Sequence, residues 1–271
     1  MSDIHSIFQS HYKDTSRLDA RRQLHATYST NTHGFVAWVF EHLSLSPPCL
    51  VLEVGCGAGD LWLANRHRLR LDGHLIRSLR GMLAAAYRQL RPYGHTFQFA
   101  VLDAQALPFA DGCFDAIIAN HMLYHVPNRP AAYAEFCRVL QPRGKLYAAT
   151  NSRDTMRELD ELVRRFRCDP AQERGAARPM NDSRLPQGFN LEHGAVGLSH
   201  WFAAVTLHRY TDVLVVPEAE PLVAYVRSTG RLTENELVRF QHHIEEVIAQ
   251  QGPIWISKDV GMFEASQPIA S

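Results

Sequence analysis

The chain has 271 residues with 28 Lys plus Arg against 28 Asp plus Glu, so its formal net charge is zero when its 15 histidines are neutral. This balance gives no overall field that would attract a nucleic acid or an anionic membrane, and we expect neither as a partner. The five cysteines show neither a CxxC pair nor the Cys/His spacing of a metal site, which predicts reduced thiols and no bound metal. The chain also shows no signal-peptide pattern and no apolar run long enough to span a bilayer, which predicts a soluble, cytoplasmic protein.

Apolar residues at three- and four-residue steps predict a helical cap over residues 1–45, which ends before Pro47 and Pro48. Strands then alternate with helices. The predicted strands are 49–54, 74–78, 97–102, 114–120 and 145–150, and the predicted helices are 60–70, 82–90 and 129–140. This alternation predicts an α/β fold with a parallel sheet covered on both faces.

Beyond residue 150 the pattern predicts helices at 155–166, 222–227 and 234–250 and strands at 203–210 and 253–258, around a segment of little periodicity at 167–190. There is no internal repeat, and the linkers are short. We therefore predict one domain, divided into a helical cap (1–45), a core (46–150), a lid or substrate segment (151–202) and C-terminal strands and helices (203–271).

A glycine-rich turn follows the first predicted strand, in the sequence Glu53-Val54-Gly55-Cys56-Gly57-Ala58-Gly59-Asp60. Glycine permits a sharp turn and the close approach of a ligand, and the N–H groups of the next helix point into the same space. A dinucleotide fingerprint, GxGxxG, requires its third glycine at position 60, where this chain has Asp60. The spacing thus disfavours an NADP-linked oxidoreductase, which we retain as a second alternative.

The ExGxGxG pattern resembles motif I of the class I methyltransferases that use S-adenosylmethionine (SAM), and further segments match in order. Asp103-Ala104 resembles the site that holds the adenine, and residues 114–126 resemble the fourth strand and its following loop. Residues 138–146 resemble the RVLxPGG turn, with Arg143 in place of the first glycine. The segments 28–31 and 258–263 resemble a bacterial branch related to the ubiquinone/menaquinone-biosynthesis (type 11) methyltransferases.

The resemblance implies a Rossmann-like, doubly wound sheet of seven strands in the order 3-2-1-4-5-7-6, with the last strand antiparallel. It also implies a set of cofactor-binding residues. These are Tyr28, Glu53, Gly55, Cys56, Gly57, Gly59, Arg77, Asp103, Ala104 and Asn120.

Arg77 departs from the family pattern, because it lies at or beside the acidic residue that binds the ribose hydroxyls. Losing hydrogen bonds to a charged acceptor costs about 1.5 to 3 kcal/mol, which is roughly ten- to a hundredfold in affinity. Three interpretations follow: weaker SAM binding, an altered cofactor that carries an anionic group, or loss of SAM binding.

Methyl transfer depends mainly on holding the acceptor in line behind the methyl group, and a general base is optional. A histidine titrates near neutral pH, so His121 and His125, in the loop after the fourth strand, are candidate catalytic residues. The sequence thus predicts a SAM-dependent methyltransferase that acts on a small-molecule metabolite. The alternative is a protein of the same fold that has lost or altered SAM binding and serves as a binding module or catalyses another reaction.

Overall fold

The computed structural model describes residues 16–46, 48–68, 83–90, 92, 97–100, 102–168 and 188–269. In these residues the α-helices are α1 (Ser16–Tyr28), α2 (Phe35–His42), α3 (Asp60–Ala64), α4 (Leu83–Leu90), α5 (Arg129–Val139), α6 (Arg157–Cys168), α7 (Gly194–Ser199), α8 (Ala219–Thr229) and α9 (Glu234–Gln251). The strands are β1 (Val51–Glu53), β2 (Phe114–Ile118), β3 (Leu140–Asn151), β4 (Phe202–Val216) and β5 (Ile254–Pro268).

These strands form one mixed sheet in the order β1-β2-β3-β5-β4. β1 and β2 are parallel, as are β2 and β3, whereas β5 runs antiparallel to β3 from Lys145↔Ser266 to Asn151↔Val260. The five strands therefore follow the order 1-4-5-7-6 of the predicted seven, and the predicted antiparallel strand is confirmed.

The two remaining strands of the prediction have different outcomes. The strand predicted at 74–78 lies outside the described residues. The strand predicted at 97–102 is not confirmed, because the described residues 97–100 and 102 form no ladder and the predicted neighbour, 74–78, is not described. Phe97 is instead fixed by side-chain packing, with its ring 6.2 Å from that of Trp62. Alternating apolar residues indicate burial, but a strand also requires backbone hydrogen bonds to a partner.

The chain divides into two compact units. The first comprises Met1–Thr32, Asp154–Asn181 and Thr211–Asp259, and the second comprises His33–Arg153, Asp182–Tyr210 and Val260–Ser271. Helix α1 belongs to the first unit and α2 to the second, although both lie in the predicted cap. The predicted division into cap, core, lid and C-terminal part stays a prediction.

In the first unit, helices α1, α6, α8 and α9 share an apolar core. Its fully buried members include Leu24, Leu159, Leu222 and Phe240. Helix α9 begins at a capping box, in which the side chain of Thr233 accepts from the N–H of Glu236 and the Glu236 side chain accepts from the N–H of Thr233.

In the second unit, alternate residues of β2 enter different clusters. Ile117 packs in one cluster with Leu52 and Phe136, while Ile118 packs in another with Trp62. Since successive strand side chains point to opposite faces, both faces of this sheet are covered, as predicted. No helix among the described residues of either unit has the length and apolar character that crossing a membrane requires.

Candidate functional site

The carboxyl ends of β1, β2 and β3 meet at one edge of the sheet. The N–H of Val54 donates to the carbonyl of Ile118 at 2.7 Å, and the N–H of Ala119 donates to the carbonyl of Tyr147 at 2.8 Å. The loops after β1 and β2 therefore leave the sheet side by side. Open α/β sheets bind their ligands at this edge.

The glycine loop after β1 uses backbone conformations that other residues rarely adopt. Gly55, Gly57 and Gly59 have φ values of 80°, 56° and 86°. A Cβ on Gly55 would lie 2.9 Å from Cβ of Met122, and a Cβ on Gly59 would lie 2.8 Å from Cδ1 of Leu90. Glycine is thus required both for the turn and for the close packing of this loop against the loop after β2 and against α4.

Cys56 lies between two of these glycines and is buried. Its carbonyl accepts a hydrogen bond from the N–H of Gly59 at 2.9 Å, which closes the turn, and its Sγ–H faces the carbonyl of Gly57 at 3.6 Å. Gly59 then serves as the N-cap of α3. The loop therefore delivers the chain directly into a helix N-terminus.

Glu53, the last residue of β1, is 2% exposed. Its Oε2 accepts a hydrogen bond from Nε1 of Trp62 at 2.7 Å, which links the strand to α3. Burial raises the pKa of Glu53 to about 7, with a further contribution from the charge of Asp60, while the Trp62 bond acts in the opposite direction. The carboxyl is therefore partly protonated at neutral pH.

Asp103 and Ala104 begin a tight turn, in which Asp103 is exposed and Ala104 is buried. Oδ1 of Asp103 accepts from the backbone N–H and from Nε2 of Gln105, both at 2.9 Å. Oδ2 has no partner among the described residues. One carboxylate oxygen therefore orients the side chain while the other faces outward.

Arg138 of the RVL segment fixes the chain that follows this turn. Its Nη2 donates to the carbonyl of Leu107 at 2.8 Å and its Nη1 donates to the carbonyl of Phe109 at 2.7 Å. Glu135 completes the arrangement, because it binds Arg138 and accepts from the N–H of Leu107 at 2.6 Å.

Asn120 and His121 follow β2 at the same sheet edge as the glycine loop. Oδ1 of Asn120 is buried and has no hydrogen-bond partner in the described part of the chain. His121 has a φ of 50°, a conformation that is uncommon for a residue with a side chain, and its ring centre lies 5.4 Å from that of Phe35. Backbone strain of this kind is concentrated at functional sites.

His125 ends a short 3₁₀ helix, Leu123–His125, and is partly buried. Its ring meets that of Tyr124 edge to face, with the ring centres 4.4 Å apart. The structure thus places both candidate histidines in the loop after β2, as the sequence predicts.

Two further residues, Arg77 and Tyr28, are predicted to bind the cofactor. Arg77 lies outside the described residues. Tyr28 belongs to the first unit, where burial and then the charges of Glu218 and Glu220 raise the pKa of its hydroxyl. The roles of both residues stay predictions.

The departure at Arg143 is explained by the packing of the first residues of β3. Arg143 is exposed, whereas a Cβ on Gly144 would lie 3.0 Å from the carbonyl oxygens of both Gln141 and Phe114. The close approach that demands glycine is therefore at 144, and an arginine fits at 143 without displacing the backbone.

Two residues beside the candidate site were not among the predicted site residues. Trp62 donates a hydrogen bond to Glu53. Trp62 is the third residue of α3, the helix that follows the glycine loop, and this nearness in sequence indicates a contact with the end of β1. Phe35 touches His121 from 86 positions earlier in the chain, and no local pattern reveals such a contact.

Comparison with known proteins agrees with this geometry. Residues 52–148 match a family described as a methyltransferase domain. A methyltransferase named GfsG from Streptomyces halstedii is 36% identical over 115 residues, which is 41% of each chain. The ubiquinone/menaquinone biosynthesis C-methyltransferase UbiE of Laribacter hongkongensis is 32% identical over 117 residues, which is 40% of this chain and 47% of the relative. The chain thus spans less than half the length of these two relatives.

The crystal structure of the YcgJ protein from Bacillus subtilis has a similar fold, with a TM-score of 0.57 and 19% identity over 87% of this chain and 98% of that one. The matched segment, 52–148, contains the glycine loop, Asp103 and the loop after β2. Over this segment the chain is similar to methyltransferase domains, and its fold is similar to that of the YcgJ structure.

Proposed function

We propose that this protein transfers a methyl group from SAM to a small-molecule metabolite. The main support for the proposal is the packing of the glycine loop, whose glycines have positive φ values, against the loop after β2. In that second loop, Oδ1 of Asn120 is a buried acceptor without a partner among the described residues. A buried polar atom in that position calls for a donor from a ligand.

The residues of this edge fit an adenosyl ligand with a charged amino acid end. The outward Oδ2 of Asp103 can accept from an exocyclic amino group, and Oδ1 of Asn120 can accept from an ammonium group or a hydroxyl. We propose that the backbone of the loop from Gly55 to Gly59 also lies against the ligand, which its glycines permit. We retain Glu53, Cys56, Ala104 and Arg77 as proposed members of this site.

When bound, SAM would supply a methyl group on a positively charged sulfur. A nucleophile of the acceptor would attack the methyl carbon in line with the C–S bond, and S-adenosylhomocysteine would leave as a neutral thioether with the electron pair of that bond. The contribution of this chain is to orient the two reactants and to exclude water. We propose that His121 or His125 takes a proton from the acceptor where the acceptor is a hydroxyl or an amine. The strained backbone of His121 supports the first of these residues.

The relatives support a small-molecule acceptor, since UbiE is named for ubiquinone and menaquinone biosynthesis. That name indicates methylation at a carbon atom of the relative's substrate. For this chain, a carbon acceptor is a proposal. No observation on the described residues supports the alternative of a protein that has lost SAM binding, and we do not propose it.

Calorimetric titration with SAM and S-adenosylhomocysteine tests the proposal that the protein binds SAM. We expect binding by the natural protein and a ten- to hundredfold weaker affinity in Asp103→Ala, because a charge-assisted hydrogen bond is worth about 1.5 to 3 kcal/mol. Asp111→Ala is the matched control, because Asp111 is an exposed aspartate that pairs with Arg138. Absence of binding at millimolar concentration, or equal affinities in both variants, would refute the assignment.

Titration of the variant Arg77→Asp with SAM tests whether residue 77 lies beside the ribose. Arg77→Asp supplies the acidic residue that the family has there. We expect tighter SAM binding if residue 77 borders the ribose, whereas an unchanged affinity removes Arg77 from the proposed site.

His121→Gln and His125→Gln test the catalytic half. We expect the variant that lacks the proton-accepting histidine to lose turnover. The same variant should keep its affinity for S-adenosylhomocysteine. Release of S-adenosylhomocysteine in the presence of a small-molecule extract of the expression host measures turnover. His200→Gln is the control, since His200 is exposed and its Nδ1 bonds to the carbonyl of Val196, four residues earlier. If both variants match this control, neither histidine is the base.

A further inference from the structure

The last residue of helix α2, His42, packs against a second histidine in the sheet of the second unit. Nδ1 of His42 donates to the carbonyl of Trp38 at 2.8 Å, because a carbonyl oxygen can only accept. The ring centre of His42 lies 4.8 Å from that of His208, in β4, with the ring planes 59° apart. These two residues, the histidine pair, therefore bring two imidazole rings from different elements into contact.

The histidine pair lies beside a carboxylate that already has a cation. Oε1 of Glu264, in β5, accepts from Nζ of Lys145, in β3, at 2.6 Å, and this bond is the main cause of the raised pKa of Lys145. Oε2 of Glu264 lies 3.4 Å from Nε2 of His208, a buried nitrogen that makes no hydrogen bond with the described residues. A protonated His208 would thus meet a carboxylate whose charge Lys145 already offsets.

The charged residues that adjoin the pair along the chain are directed elsewhere. Glu41, next to His42 on α2, pairs with His33 at 2.9 Å and with Arg68 at 3.3 Å. Arg209, next to the other histidine in β4, is exposed, and successive strand side chains point to opposite faces. Neither residue offsets a charge on the histidine pair.

The pair accommodates one proton better than two. A single charge on His42 is favoured by the ring of Trp38, 4.3 Å away, and by the helix C-terminus, while a single charge on His208 is favoured by Glu264. Two imidazoliums in ring contact repel each other. If the rings separate, each takes its own proton at the ordinary histidine value of about 6.5. Separation therefore binds protons, and acid favours it.

The contact holds the C-terminal end of α2 on the sheet. Beside it, the N–H of Ser44 donates to the hydroxyl of Tyr147 at 3.0 Å, and Nζ of Lys145 lies 3.5 Å from Oγ of Ser44. At the other end of α2, the ring centre of Phe35 lies 5.4 Å from that of His121. Helix α2 thus connects the histidine pair to the candidate site.

We propose that His42 and His208 form a pH-sensitive contact, which holds the end of α2 on the sheet and releases it when both rings are protonated. The contact does not depend on methyl transfer. Its consequence for His121, a regulation of the candidate site through α2, rests on the proposed function.

Hydrogen exchange of the full-length protein at pH 7.5 and 5.5, without cofactor and read by mass spectrometry, tests the proposal. After correction for the intrinsic effect of pH on exchange, we expect the protection of the amides at 38–44 to fall about tenfold at pH 5.5. The amides of β2 are the internal reference and should keep their protection. Because no cofactor is present, the result stands or falls apart from the proposed function.

The variants His42→Gln and His208→Gln each leave at most one charge at the contact, so the loss of protection should shrink to less than about twofold. Glu264→Gln removes the carboxylate that offsets these charges and should move the loss to a pH about one unit higher. It also decides the matter if neither histidine variant folds. His200→Gln, at an exposed site outside α2 and the pair, is the control and should behave as the natural protein.

The proposal is overturned if the natural protein shows no loss of protection in α2 at pH 5.5. It is also overturned if both histidine variants keep the full loss, or if Glu264→Gln leaves the pH of the loss unchanged.

Discussion

Glu53 couples the stability of the protein to pH. Its pKa is about 7 in the folded chain against an ordinary value of 4.5, so the folded state holds the proton more tightly between these two pH values. The unfolded chain then binds fewer protons, and the free energy of unfolding falls as pH rises through this window. Ionisation of this carboxyl therefore lowers the free energy of unfolding by about 3 kcal/mol across the whole window.

Glu53→Gln should remove this contribution, because an amide can still accept from Trp62 but does not ionise. We expect the free energy of unfolding in urea to vary less between pH 5 and 8 in this variant than in the natural protein. Glu246→Gln, at an exposed site on α9, serves as the control and should keep the natural pH profile. The same slope in all three proteins would show that Glu53 is not the group concerned.

At the scale of elements, one buried aspartate joins three parts of the first unit. Oδ2 of Asp212, in β4, accepts from Ser29 at 2.6 Å and from Lys258, in β5, at 3.0 Å, and Oδ1 accepts from the N–H of Asn31 at 3.1 Å. Burial alone raises the pKa of Asp212, but these partners lower it below its usual value overall. Its stabilising contribution is therefore present near neutral pH and lost as pH falls into the acidic range.

Asp212→Asn should cost about 3 to 5 kcal/mol, because it leaves the ammonium of Lys258, 11% exposed, without this carboxylate. Adding Lys258→Met should restore part of the loss. Urea unfolding measures both, with Glu161→Gln as the control, since exposed ion pairs contribute at most about 1 kcal/mol. A loss no greater than that of the control would contradict a structural role for this pair.

In strand β5, the packing at Gly261 leaves no space for a Cβ atom. A Cβ on Gly261 would lie 2.6 Å from the carbonyl oxygen of His208, while Gly261 is also held opposite Thr150 in the ladder with β3. We expect Gly261→Ala to lower the free energy of unfolding by about 1 to 3 kcal/mol. Gly34→Ala is the matched control, because a Cβ there meets nothing within 4 Å. Equal stability of the two variants in urea would rule out this close approach.

At the scale of the whole molecule, the balance of 28 basic and 28 acidic residues leaves no net charge to keep molecules apart near the sequence pI of about 7.3. We expect solubility to be lowest near that pH and to rise toward pH 6, where the 15 histidines begin to gain charge. Light scattering as a function of pH measures this. A minimum well away from neutrality would contradict it.

The sequence by itself determined the strands β1 and β2, helices α5, α6 and α9, and the glycine loop. In each case the signal is local: a run of buried apolar residues, a helical period or glycines at fixed spacing. It also determined the order of the five described strands through resemblance to a family. The placement of Asn120 and the two histidines in the loop after β2 came from the same source.

Only the tertiary structure decided the contacts between distant residues and the extents of the last strands. Strands predicted at 203–210 and 253–258 run from Phe202 to Val216 and from Ile254 to Pro268, because pairing within the sheet extends them past the local pattern. Asp212 and Ser29 are 183 positions apart, and nothing in either segment indicates the other. A local pattern records which way the backbone turns and which side is buried, whereas the choice of a partner is made by the folded chain.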